Sequence, residues 1–248
     1  MIAPYLRRGM AAGLLAGLLA GLFAFFVGEP LLDRAIGQES AVSHAHEDSG
    51  EHSPEEEEEV FSRATQKVGL FFATGLSGTF VGGLFGMAFA VFRDRLASGS
   101  DWLRSISLAA AVFAGAVLLP FLKYPANPPT VGDPATIGSR TVAYFVMVGF
   151  SLLAIWVCWY TARRLREQGI SAPARHLTVG AGLLAVVIVL FVGLPATVDP
   201  GEFPAGLLWS FRLSSIGTQL VLWTALAVVF GLLCERANHR ANRKGDAA

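Results

Sequence analysis

Residues 10–27 read MAAGLLAGLLAGLFAFFV, with no charged side chain anywhere in the run. The hydrocarbon core of a bilayer takes about 20 apolar residues of helix, so this run is long enough to cross it. Arg7 and Arg8 precede it, as in a signal peptide. No A-x-A cleavage site follows, however, and the chain continues directly into GEPLLDRAIG at 28–37. The run therefore reads as an uncleaved membrane span.

Five further runs of the same kind follow, at 68–91, 106–122, 142–160, 177–194 and 213–233. The last is able to begin as early as Pro204. The 248 residues are 53% hydrophobic and only 15% charged, with a mean hydropathy of +0.53. A soluble domain has about 25% charged residues, and the deficit points to a surface that faces lipid. The predicted fold class is all-α, a polytopic membrane helix bundle of about six spans forming a single domain over 1–248.

Lysine and arginine sort the loops. Of 19 such residues, 13 fall at the two termini and in the loops around Arg95 and Arg164. Of the remaining 6, five fall in the loops 28–66, 123–141 and 195–212, and Lys67 adjoins the first of them. Basic residues are retained on the cytoplasmic side, which predicts that both termini are cytoplasmic and that these three loops face outward. The tail from Glu235 is basic and is expected to end without order.

Two spans carry the same spacing of glycine: Gly13, Gly17 and Gly21 in the first, and Gly78, Gly82 and Gly86 in the second. Each triplet lines one helix face and lets another backbone approach closely. Cys158 and Cys234 have no paired spacing and read as small apolar side chains, without a disulfide or thiolate site.

The outer loops hold the candidate chemistry. HAHEDSGEHSPEEEEE, at 44–59, contains three of the five histidines and eight of the nineteen acids. Imidazole with carboxylate suits borderline divalent metals such as cobalt, nickel and zinc. His44, His46 and His52 lack the fixed spacing of a structural zinc site. Residues 38–60 are therefore expected to be flexible, and the 44–59 loop to be either a collector that raises the local cation concentration or a solvated acidic linker with incidental histidines.

In GEPLLDRAIG, Gly28 is expected to break the first helix and Pro30 to start a short interfacial one ending at Ile36. Glu29 and Asp33 then share a face at the mouth of a cation path. In the stretch LLPFLKYPANPPTVGDPATIGSR at 118–140, four prolines after Lys123 stiffen the backbone. They hold Lys123, Tyr124, Asn127 and Asp133 in a defined arrangement that suits a cap over a vestibule.

In LPATVDPGEFPAGLLWSFRLSSIGTQL at 194–220, Arg212, Ser215 and Gln219 fall on one helical face. Arg212 is a counter-charge for Glu29, Asp33, Asp199 or Glu202. Glu29, Asp33, Asp133, Asn127 and the three histidines are thus the candidate metal ligands. Arg34, Lys123, Tyr124, Arg212 and Gln219 are assigned charge-balancing or structural roles.

No P-loop, G-x-S-x-G or H-E-x-x-H motif occurs. His176 and His239 sit among arginines and read as surface residues. Enzyme activity, a permanently bound cofactor and a nucleic-acid partner are not expected.

Three blocks together resemble the CbtA family of predicted cobalt transporter subunits. They are GLLAGLLAGLFAFFVGEPLLDRAI at 13–36, PFLKYPANPPTVGDPATIGSRT at 120–141 and FPAGLLWSFRLSSIGTQLVLW at 203–223, with the His/acidic loop between the first two. The resemblance implies a small multi-pass protein of the bacterial inner membrane, linked to cobalamin synthesis, with Co2+ as its transported ion. It also implies a CbtB-like partner with one span and a histidine-rich end. The family is described with five spans, against six counted here. A non-transporting assembly or metal-sensing subunit, or a transporter for nickel or another divalent metal, is the alternative reading.

Overall fold

A computed structural model describes residues 2–37, 63–96, 99–128, 131–132, 134–195, 201 and 203–245. Six helices among them are long and apolar enough to cross a membrane. They are α1 (Ala3–Gly37), α2 (Arg63–Phe92), α3 (Asp101–Lys123), α4 (Ile137–Glu167), α5 (Ala172–Gly193) and α6 (Ala205–Gly245). Each predicted span falls within one of them to within a residue. No strand occurs among the described residues. Phe72, Leu76, Leu177 and Val192 are among many exposed apolar side chains, as expected for helices whose outer faces meet lipid.

The contacts divide the chain into two units. Unit 1 contains α1, α2, the first two turns of α3 and α6; unit 2 contains the rest of α3 with α4 and α5.

In unit 1, α1 and α2 run antiparallel with their glycine stripes in contact. A Cβ on Gly13 would stand 2.8 Å from the Gly82 Cα, and one on Gly78 would stand 2.7 Å from the Gly17 Cα. Both distances are impossible for a real side chain, so the two backbones meet where only hydrogen fits. At this range Cα–H groups reach carbonyl oxygens across the seam, which helps where no hydrophobic force drives helix association. The two glycine triplets are thus each other's partners. Helix α6 also packs on α1, where Gly217 meets the Phe23 ring.

The first helix does not break at Gly28. Residues 24–28 form a π-helical turn, with the Glu29 N–H bonded to the Ala24 carbonyl, and the helix continues to Gly37. In an apolar medium no water competes for the backbone groups, so a glycine does not end a helix there as it does in water. The π turn absorbs one extra residue and rotates the rest of the helix about its axis. The C-terminal tail also differs from expectation: α6 continues through Gly245. Its last turns hold alanine and arginine, good helix formers, and their positive charge is favoured at a helix C-terminus.

In unit 2, α3 has its own π turn at Ala114–Leu118. There Gly115 lets Leu152 of α4 approach, so that a Cβ would lie 3.2 Å from the Leu152 Cα. Beyond it the buried Lys123 ammonium donates to the Phe191 carbonyl of α5 at 2.8 Å. The same ammonium lies over the rings of Tyr124 and Phe191. The Tyr124 hydroxyl donates to the Pro195 carbonyl at 2.9 Å, and desolvation raises that phenol above its usual pKa, which keeps it a donor. Lys123 and Tyr124 therefore staple the end of α3 to the end of α5.

Candidate functional site: a polar cleft at one end of unit 1

Helix α6 carries a polar stripe, SSIGTQ at 214–219, on an otherwise apolar span. Hydroxyls and a carboxamide are costly in hydrocarbon, so such a stripe turns toward protein or water. Here it turns toward the π turn of α1. Ser214, Ser215, Thr218 and Gln219 form one wall of a cleft of about 260 Å³. Ala24, Gly28, Glu29 and Leu32 of α1 form another, and Leu70 and Phe211 complete it.

Gly28 leaves room for the α6 wall. A Cβ there would come within 3.3 Å of the Ser214 hydroxyl, crowding the wall. The π turn sets which residue of α1 faces α6, and it presents Glu29 to the cleft. Thr218 uses its own hydroxyl proton on the Ser214 carbonyl at 2.9 Å, leaving oxygen lone pairs for a guest.

The donors are oxygens: one carboxylate, three hydroxyls and a carboxamide. Among the described residues, no imidazole or thiolate lines the cleft, and no group of three or more His, Cys, Asp or Glu occurs. Six waters take up about 180 Å³ at their share of liquid volume. The cleft therefore accommodates a divalent ion with its water shell. Such an ion would meet the charge of Glu29, and its coordinated waters would meet the amide and hydroxyls. Stripping the ion to direct protein ligands would need more anionic donors than are present here.

The residues singled out from the sequence do not all meet in one place. Glu29, Ser215 and Gln219 come together in the cleft. Asp33, one helical turn further along α1, accepts a 3.0 Å hydrogen bond from Lys67 of α2, and both side chains are partly exposed. Arg34 is exposed on α1, and Arg212 is half-buried on α6 outside the cleft wall. Asn127 belongs to unit 2 and is half-buried. His44, His46, His52, Asp133, Asp199 and Glu202 lie outside the described residues.

Ser214 and Thr218 also line the cleft, although sequence spacing does not select them. They sit beside the predicted face, and only the angle of α6 against α1 turns them inward. A second polar cluster is wholly absent from the sequence reading. It lies at the other end of unit 1, where the chain termini are, and centres on Asp101. That carboxylate is only 3% exposed. It pairs with Arg104 at 3.1 Å and Arg93 at 3.5 Å, and accepts from the Asn238 amide at 3.0 Å. An acid directly after a Gly-Ser pair and opening an apolar helix is an N-terminal signal that Asp101 does carry. Asn238 lies 137 residues away in sequence, and the convergence cannot be read from spacing.

Comparison with known proteins agrees with this architecture. No curated protein and no solved structure matches the chain. A family model described as "probable cobalt transporter subunit (CbtA)" matches residues 2–235, which take in the cleft, Asp101 and at least the greater part of every helix. A membrane bundle with an oxygen-lined cleft, matched over nearly its whole length, belongs to the CbtA family of cobalt transporter subunits.

Proposed function

We propose that this chain is the membrane subunit through which divalent cobalt enters a bacterial cell for cobalamin synthesis. Its termini are cytoplasmic and its cleft faces outward. The cleft receives the hydrated ion, Glu29 supplies the attracting charge, and Gln219 with the hydroxyls of Ser214 and Ser215 binds its water shell. The observation that carries this reading is the cleft itself, a set of oxygen donors around one carboxylate at the end of a membrane bundle.

Connectivity adds support. The segment holding His44, His46 and His52 joins Gly37 of α1 to Arg63 of α2. Leu32 and Leu70, a few residues from those two ends, line the cleft. A cation held loosely by that segment is thus released next to Glu29. A dication moving into a negative-inside cell gains about 4.6 kcal/mol per 100 mV, enough to drive accumulation without a nucleotide site. A small single-span, histidine-rich partner of the CbtB kind supplies the imidazole ligands that the cleft lacks.

Uptake of radioactive cobalt tests this in cells expressing the chain alone and with such a partner. Uptake above empty cells that falls when the membrane potential is collapsed is expected. Uptake no greater than in empty cells, in both cases, overturns it in favour of an assembly or sensing role. An equal excess of nickel or magnesium in the same assay determines which cations share the route.

A further inference from the structure

Unit 1 is tiered along its axis. The cleft is the first tier. Below it, the next turns of α6 bring Trp223 and Phe230 against Phe85 of α2, and Phe230 against Phe89, all edge-on or nearly so. Phe89, Phe230 and Leu226 are fully buried, and the Trp223 indole is the one polar group among these side chains. Apolar packing of this kind excludes water.

The third tier is ionic. Around Asp101 stand Arg93 from the end of α2, Arg104 from α3 and Asn238 from α6. The Arg93 guanidinium also donates to the Tyr5 hydroxyl of α1 and lies over its ring. Glu235 of α6 accepts the Trp102 N–H at 3.1 Å, capping the start of α3. Each of the four helices of unit 1 is tied into this tier through side chains.

We infer that the Asp101 cluster is a gate, the closure of unit 1 on the side away from the cleft, and that it parts for an ion to leave. This rests on the transport reading above. Two kinds of contact in unit 1 support it. Along its glycines the α1–α2 seam is backbone on backbone, with no room for either helix to shift past the other. By contrast, α6 and the start of α3 are held to that pair by aromatic edges, hydrogen bonds and ion pairs. Such contacts break and re-form as packed elements shift, and each ion that is exposed regains water. A buried ion cluster contributes little net stability over apolar packing, so a cluster linking four segments is poorly explained as glue. It suits a closure that has to open. The moving part is then α6 with the start of α3, against a rigid α1–α2 pair.

Cys234 reports the state of this gate. It is fully buried on α6, one residue before Glu235, with Arg8 reaching its sulfur. In the full chain with Cys158→Ser, labelling of Cys234 by N-ethylmaleimide in membrane vesicles is expected to be slow. Asp101→Asn keeps the size and removes the charge that holds two arginines; labelling is expected to rise at least tenfold. Asp101→Glu is expected to restore the slow rate. A buried reporter on α1 beside Gly17, Ala16→Cys in a Cys158→Ser, Cys234→Ser background, is expected to stay unlabelled with or without Asp101→Asn. The gate is overturned if Cys234 in Asp101→Asn labels at the parental rate. It is also overturned if the Ala16→Cys reporter becomes equally reactive, which would show general loosening. No cobalt enters this experiment, so a failure of uptake bears on the cargo and leaves the gate result standing.

Discussion

Gln219 and Asn238 lie on the same helix, about 28 Å apart at 1.5 Å per residue, in opposite surroundings. The Gln219 amide lines an open cleft together with the Glu29 carboxylate. The Asn238 amide donates to a buried carboxylate, Asp101, which two arginines also engage. Both ends of unit 1 therefore place polar groups where α1 and α6 converge. At one end those groups line an open cleft, and at the other they close on one another in a buried cluster. The kinds of side chain do not account for the difference, since each end pairs an amide with a carboxylate. Burial does: Asp101 is sealed among protein partners, whereas Glu29 keeps part of its surface open to the cleft.

That contrast predicts opposite responses to removing each acid. Asp101→Ala strands two guanidinium groups and should cost about 3–5 kcal/mol, the range for removing one partner of a buried charge cluster. Denaturation in detergent micelles measures it. Glu29→Gln should change stability by less than about 0.5 kcal/mol, as for a partly exposed residue replaced by its isostere. Equal losses in the two variants would remove the distinction between the ends.

The seam between α1 and α2 is common to both ends. Gly82→Ala places a Cβ 2.7 Å from the Gly13 Cα, and no flexible side chain is there to yield. Overpacking of this kind costs about 1–3 kcal/mol. Thermal unfolding of the purified chain should show it. A matching loss of Cys234 protection is not expected if the seam is rigid and the Asp101 tier moves independently.

In transport the order reverses. Glu29→Gln removes the only charge among the described residues that line the cleft. The cobalt concentration for half-maximal uptake should rise about tenfold, equivalent to roughly 1.4 kcal/mol. Replacing His44, His46 and His52 together by alanine should raise it about two- to threefold and leave the maximal rate unchanged. An exposed collector acts through local concentration and is screened by salt, so the difference from wild type should shrink as ionic strength increases. A lost maximal rate would instead place the histidines on the route itself.

The spans are legible in the sequence because hydropathy alone decides what enters a bilayer, and the glycine stripes because their spacing puts them on one face. Glu29, Ser215 and Gln219 are legible as polar groups on apolar helices. Gly28 misleads because glycine's reputation as a helix breaker comes from water, where exposed backbone has an alternative partner. The π turn that aims Glu29 leaves no signal in composition. Asp101 is harder still. Arg93 and Arg104 count in the sequence only as basic loop residues, Asn238 carries no signal there, and their convergence depends on where α2 ends, where α3 begins and how far α6 extends.

Lys67 and Asp33 provide the finest test of the contrast. They form an ion pair at 3.0 Å, as close as any at Asp101, but at the cleft end and half in solvent. If pair geometry determined the role, Lys67→Met should destabilise the chain on the scale of Asp101→Ala. If burial determines it, the cost should stay below about 1 kcal/mol, the usual value of an exposed pair. The Asp33 carboxylate, relieved of that ammonium, then adds negative charge one turn from Glu29, and half-maximal uptake should occur at a cobalt concentration lower by at most about twofold. Raising the salt should erase that gain, because a carboxylate this exposed acts on the ion through water. A gain that survives high salt would mean that Asp33 reaches the ion directly and that Lys67 competes with it for that carboxylate.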